Sequence, residues 1–522
     1  MEKTSFRVCA LAALLFLLAA LLVWAPPAHA RQGNTDDARG GNGKAESPPP
    51  DTRAVTRHEI EIDGRVYSYN ATAGLTTVSL PGDDGPKGRM FHVAYQLEAA
   101  EPGERPVTFA FNGGPGSSSI WLHLGLMGPR RVVLNEDGTA PAPPARLTDN
   151  PSSWLPFTDL VFIDPVGTGF SRAQPDKTEA ARKFWGVEKD IDSVAEFVRL
   201  WLTRNDRWTS PKFAAGESYG TLRAAGLADK LYDAYGARLN GLVLISPVLD
   251  YATIFYTQGH DLAYALALPT YAATAHHHGR LQGELKDVLA RVEEFASRDY
   301  LRGLFKGQAL GGAERKELVR RTAELTGLSE EYVERMDLRV DAGAFTTRFL
   351  RGENKVVGRM DTTVTAPNPR PDEARAWFDP SLEPLFGPFS EAINHYLREE
   401  LRVKNDEAYE PLSSEVNRSW DFESALEGGQ GFADTARALR QAMFDNPGLR
   451  VFWACGRYDL ATPYFGAKYT VNHLFLPEGL RGNIDMAFFR GGHMMYTRPA
   501  PRERLTGEAA AFYRRSLDAG ED

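Results

Sequence analysis

The sequence predicts an α/β fold built on a mainly parallel sheet with helices on both faces, and two observations predict it. Short strand-like apolar runs alternate with helical patterns along most of the chain, which is the order of βαβ units rather than of hairpins alone. Chemistry-bearing residues follow directly on the ends of several of those runs, the place where open α/β sheets collect catalytic groups.

Taken in order, folded sequence starts near Val55. The stretch His58 to Tyr69 alternates polar and apolar residues around Asp63-Gly64, a strong hairpin signal. Further strand-like runs cover Met90 to Leu97, Val107 to Phe111, Leu160 to Ile163, Phe213 to Ala215 and Leu242 to Ile245. Val187 to Leu202 and Thr221 to Tyr235 carry apolar residues at helical spacing. Val451 to Ala454 and Met486 to Phe489 are later strand-like runs. The first core segment is therefore set at residues 54–250 and the second at 446–518, with an insert at 251–445 that is far longer than one crossover needs. The insert reads as mostly helical, with helical patterns at Glu284 to Phe295, Ala313 to Leu325, Glu330 to Met336 and Phe389 to Leu401. Such a cap either roofs a site and selects substrates or merely stabilises the fold.

The N-terminus has a different character. Lys3 and Arg7 precede a continuous apolar run from Val8 to Trp24, and Ala28-His29-Ala30 resembles a signal-peptidase site, so residues 1–30 read as a signal peptide. An uncleaved anchor is the alternative. Residues 31–53 are rich in Gly, Pro, Asp, Asn and Ser and read as a disordered linker. An exported protein, periplasmic or secreted, is expected. The chain has only two cysteines, Cys9 and Cys455, and the first lies in the signal segment, so no internal disulfide is expected after cleavage. Net charge is −9, without long single-sign blocks, and no basic stripe suited to nucleic acid is present. Contact with a membrane is expected only through the signal segment if it stays uncleaved.

Gly216-Glu217-Ser218-Tyr219-Gly220 follows the run ending at Ala215 and opens a helical pattern, which is the context of a G-x-S-x-G nucleophile elbow. Ser218 is the candidate nucleophile. Asp459 follows the run Val451 to Ala454 and is the candidate orienting acid, and His493 follows Met486 to Phe489 on a glycine-loosened loop as the candidate base. The chain order Ser, Asp, His is that of α/β-hydrolases. Asn112-Gly113-Gly114-Pro115-Gly116 follows Val107 to Phe111 as a glycine loop should. The N–H groups of Gly114 and Tyr219 are the candidate oxyanion donors.

Asn112 to Ser118, Gly128-Pro129, Asp164 to Ser171, Gly216 to Gly220 and Gly492-His493-Met494 occur in order, and together they resemble the serine carboxypeptidase family of α/β-hydrolases, in its bacterial type. The resemblance runs from about Pro106 to the C-terminal helix. It implies Ser218, Asp459 and His493 as a triad, Gly114 and Tyr219 as the oxyanion hole, and Asn112 with Glu217 as the groups that bind a substrate's free α-carboxylate. It also implies a structural turn role for Asp164. The chain departs from the family pattern where Leu126 replaces a glutamate that hydrogen-bonds the elbow glutamate in well-known eukaryotic members. A paired carboxylic acid shares a proton and can donate to a substrate carboxylate, so Glu217 is expected to lack its partner. Phe111 and Ser117 stand where a tryptophan and a disulfide-forming cysteine are usual.

Other features point elsewhere. His276-His277-His278 could suggest a metal, but adjacent residues do not share a helix face and no ligand pair at i, i+4 accompanies them, so no metal is expected. Cys455 reads as a buried apolar residue. No cofactor is implied. The expected function is a serine-type carboxypeptidase acting on peptides through an acyl-enzyme. An esterase or acyltransferase on the same triad, and a non-catalytic binding protein on this fold, are the alternatives.

Overall fold

The structure, a computed structural model, describes residues 53–98, 101, 103–376, 378–423 and 431–518. The expected signal peptide, and the expected linker up to residue 52, lie outside the described residues. Arg53, the last residue assigned to the linker, opens the first strand.

The sheet begins with a long antiparallel edge. Strands β1 (Arg53–Ile62) and β2 (Arg65–Val78) form the hairpin around Asp63-Gly64, both with positive φ, and β3 (Lys87–Leu97) continues it. The remaining core strands are β4 (Val107–Phe111), β5 (Asp159–Ile163), β6 (Lys212–Glu217), β7 (Gly241–Ile245), β8 (Arg450–Gly456) and β9 (Ile484–Phe489). Their order in space is β1-β2-β3-β5-β4-β6-β7-β8-β9, and every pairing from β5 onward is parallel. β4, β5, β6 and β7 are buried along their whole length, as strands covered on both faces must be. This is the α/β-hydrolase fold. Its central strands all deliver their C-terminal ends to one edge of the sheet.

Helices α1 (Val187–Arg204) and α2 (Tyr219–Tyr235) pack together, and α1 contributes Val194, Phe197, Val198 and Trp201 to one apolar core. A second core lies under the long C-terminal helix Pro499–Asp518, which buries Leu505, Ala509, Phe512 and Tyr513.

Between β7 and β8 the chain divides into parts that pack in different places. α3 (Leu262–His277), α4 (Leu285–Phe295) and α5 (Gly312–Thr326) enclose an apolar cluster of their own, with Tyr271, Val292, Phe345 and Val333 at its centre. α6 (Glu383–His395) instead buries Leu385, Phe389 and Ile393 in the second core. α7 (Ala436–Asp445), the last part of the stretch assigned to the insert, lies along α2, because its apolar face of Leu439, Ala442 and Met443 joins the sheet's first core. Thr435 ties that entry point down by donating from Oγ1 to the Leu222 carbonyl at 3.0 Å.

Candidate active site

The elbow is a steric consequence of its glycines. Ser218 sits at φ 59°, ψ −129°, a conformation that L-residues adopt only when the surroundings enforce it. A Cβ on Gly216 would lie 2.1 Å from the Gly220 carbonyl oxygen, and one on Gly220 would lie 2.9 Å from the carbonyl oxygen of Phe111. The turn therefore closes only with glycine at both ends. It is pinned by Ser218 N–H donating to the Ile245 carbonyl at 3.0 Å and by the Thr221 hydroxyl donating to the Ser218 carbonyl at 2.6 Å. Ser218 is half-buried at the N-terminus of α2, where the helix dipole and free N–H groups favour negative charge.

The loops after β8 and β9, at the same C-terminal end of the parallel strands as Ser218, bring Asp459 and His493 together. Asp459 is 0% exposed, and its Oδ2 lies 2.7 Å from His493 Nδ1. Its Oδ1 accepts the N–H groups of Ala461 and Thr462 at 2.8 and 3.0 Å, and the Thr462 hydroxyl donates to Oδ2 at 2.7 Å. His493 is held by its backbone: its N–H donates to the Met360 carbonyl and its carbonyl accepts the Ser246 hydroxyl at 2.7 Å. Burial works against charge on the imidazole, but the Asp459 carboxylate outweighs it, and the His493 pKa is raised above the ordinary value.

The glycine loop after β4 lies on the elbow. A Cβ on Gly113 would come within 2.5 Å of the Tyr219 backbone nitrogen, so only glycine admits this approach, and Gly114 follows at φ 99°. Arg223 on α2 secures the loop by donating from Nη1 to the Asn112 carbonyl at 2.7 Å, while its Nε donates to Asp190 at 2.7 Å. Asn112 Oδ1 accepts the Leu122 N–H at 3.1 Å. Its Nδ2 faces Glu217 and Tyr496, is buried, and lacks a hydrogen-bond partner of normal geometry among the described residues.

Glu217 is 3% exposed, and burial pushes its carboxyl up to about 7, against the nearby His493 and the hydrogen bond from Tyr496, with the Asp459 charge adding to the rise. The Tyr496 hydroxyl donates to Glu217 Oε2 at 2.5 Å. Leu126 is wholly buried in the apolar cluster that also holds Tyr496. The expectation that Glu217 lacks a partner is therefore corrected: it has one, a tyrosine three residues beyond His493. Tyr496, Thr462, Arg223 and Ser246 are the site residues that sequence reasoning missed. Only Tyr496 carried a signal, its nearness to His493.

The remaining singled-out residues lie elsewhere. Asp164 Oδ1 accepts the N–H and hydroxyl of Ser119 at 2.8 and 2.7 Å, and burial pushes its carboxyl up to about 6. It ties two loops together. His276 and His278 each turn Nε2 to a backbone carbonyl, those of Gly283 and Thr362, at 2.8 and 2.9 Å. Cys455 is buried, and burial pushes its thiol well above the usual range.

Residues 71–304 match the family model of the serine carboxypeptidases, and that match spans the glycine loop and the elbow. Over those residues the chain is similar to the serine carboxypeptidase family. Among similar curated proteins of that family, the pheromone-processing carboxypeptidase KEX1 of Yarrowia lipolytica is 28% identical over 253 residues, covering 48% of this chain and 38% of that protein. Serine carboxypeptidase-like 13 of Arabidopsis thaliana is 25% identical over 220 residues, covering 38% of this chain and 48% of that protein. Serine carboxypeptidase-like 2 of the same plant is 31% identical over 160 residues, covering 29% of this chain and 34% of that protein. The chain thus spans less than half the length of these curated serine carboxypeptidase relatives. A solved proline iminopeptidase of Mycobacterium smegmatis is similar at 14% identity and a TM-score of 0.36, covering 85% of this chain and 100% of that chain.

Proposed function

We propose that this chain, similar to the serine carboxypeptidases over residues 71–304, is a serine-type carboxypeptidase that releases C-terminal residues from peptides. The observation that carries the proposal is the pair formed by Glu217 and Asn112 next to His493: a buried carboxyl disposed to keep its proton beside a buried amide whose Nδ2 makes no hydrogen bond of normal geometry among the described residues. Buried donors are costly unless a ligand supplies acceptors, and a peptide's terminal carboxylate supplies them.

In this reading Ser218 Oγ attacks the scissile carbonyl carbon while His493 Nε2 takes its proton. Asp459, fixed by the two backbone N–H groups on Oδ1, holds His493 in the tautomer that leaves Nε2 free to accept. The oxyanion is stabilised by the N–H groups of Gly114 and Tyr219. Collapse breaks the C–N bond, and the proton passes from Nε2 to the leaving amine. Water, activated by the same imidazole, then hydrolyses the ester on Ser218.

The segment 251–445 is proposed as a cap, principally through α3 to α5 and the loop carrying Met360, which holds the backbone of His493. Export to a periplasmic or extracellular space is proposed from residues 1–30. Among the described residues no helix is long and apolar enough to cross a membrane.

The test is release of the last residue from an N-blocked dipeptide with a free C-terminus, compared with its C-terminal amide, with Ser218→Ala as blank. Preference for the free acid supports the carboxypeptidase reading. Equal or faster turnover of the amide overturns it in favour of a broader peptidase or an esterase on the same triad.

A further inference from the structure

Tyr496 is 0% exposed, and its ring is set by close packing. A Cβ on Gly125 would lie 2.8 Å from Tyr496 Cε2, so the ring lies directly on that glycine. Both residues stand on turns that pack together, 123–127 and 495–497. A ring fixed in this way aims its hydroxyl in one direction, at Glu217 Oε2. The groups facing Glu217 are Tyr496, Asn112, His493 and Asp459.

A phenol differs from a carboxylic acid as a partner for Glu217. Two carboxyl groups share one proton, which can rest on either. The phenol of Tyr496 keeps its own proton, because burial and the Glu217 charge raise its pKa well above the ordinary value, so it acts toward Oε2 as a donor only. When Glu217 is protonated, its hydrogen must therefore sit on Oε1.

We propose that Tyr496 is the positioning residue of the substrate-carboxylate subsite. By occupying Oε2 it places the Glu217 proton on Oε1, and that O–H joins the neighbouring Asn112 amide as donors to the terminal carboxylate of a peptide. The proposal rests on the carboxypeptidase reading above.

The test measures kcat/KM for the matched acid and amide substrates from about pH 5 to about pH 8 with wild type and Tyr496→Phe. Losing a hydrogen bond to an ionisable group lowers the acid-to-amide ratio about tenfold, and the loss lies in KM. The alkaline fall of the ratio also moves to higher pH, because a donor that favoured ionised Glu217 is gone. Should Tyr496→Phe fail to fold, site-specific fluorotyrosine at position 496 keeps the ring volume and makes the hydroxyl a stronger donor. The alkaline fall must then move to lower pH, the opposite sign. If the wild type prefers the acid but neither replacement moves the ratio or its pH dependence, Tyr496 is packing alone and its proposed role falls. If the wild type has no preference for the acid, the carboxypeptidase reading falls, and this role falls with it.

Discussion

Arg223 and Asn112 join the helix behind the nucleophile to the loop in front of it: Arg223 Nη1 donates to the Asn112 carbonyl at 2.7 Å. The arginine is 1% exposed and ion-paired with Asp190, which is equally buried and also accepts the Tyr219 hydroxyl at 3.1 Å. One guanidinium thus sets the distance between the elbow and the glycine loop. Replacing it with Met strands a buried carboxylate, which costs about 3–5 kcal/mol when ionised. Arg223→Met is expected to lower the denaturation midpoint strongly at neutral pH and less in mild acid, where Asp190 takes up a proton. Asp190 already has a raised pKa from burial, and losing Arg223 raises it further. Denaturant titrations at the two pH values check the sign.

Asp459→Asn is expected to reduce kcat by about 10⁴ while leaving the fold intact. The N–H groups of Ala461 and Thr462 pin an acceptor at the Oδ1 position, so the asparagine oxygen must turn toward them and its NH₂ toward His493 Nδ1. That selects the tautomer with the proton on Nε2, which cannot act as base. Kinetics with circular dichroism as a fold control decide the matter, and retained activity would place the orienting role elsewhere.

Free-acid substrates should lose kcat/KM relative to their amides as pH rises through about 7. Glu217 has its carboxyl raised to about 7, so its proton is present below that value and lost above it. The ionised form repels the substrate carboxylate. His493 must be neutral for either substrate, so its titration cancels from the ratio. Glu217→Gln cannot ionise and should make the ratio independent of pH. An unchanged slope in that variant would show that Glu217 does not titrate in binding.

Gly113→Ala forces a methyl group to within 2.5 Å of the Tyr219 nitrogen, backbone against backbone, so one of the two must move. The expected result is a loss of about 10²–10³ in kcat, the cost of misplacing one oxyanion donor. A melting temperature close to wild type would show that the loss arises at the site.

Much of this arrangement is visible in the sequence because it is local. Gly216 and Gly220 flank Ser218 at the spacing of a tight strand-to-helix turn, and Asp459 and His493 each stand just past an apolar strand run. The hairpin at Asp63-Gly64 and the buried parallel strands follow from composition over a few residues. The boundary of the insert is less visible. α7 reads as one more amphipathic helix, and nothing in its own residues says that Leu439 and Met443 meet α2 rather than α3 to α5.

By itself, then, the sequence determined the α/β class, the order Ser218, Asp459, His493 and the glycine loop, since steric limits on turns and the two-residue and 3.6-residue periodicities act over short spans. Only the tertiary structure decided what holds the site. Tyr496 meets Glu217 across 279 residues, and Arg223 meets Asn112 across 111. A hydrogen bond between residues so far apart depends on how the strands stack and where Gly125 leaves room for a ring, and packing of that kind leaves no periodic trace in the chain.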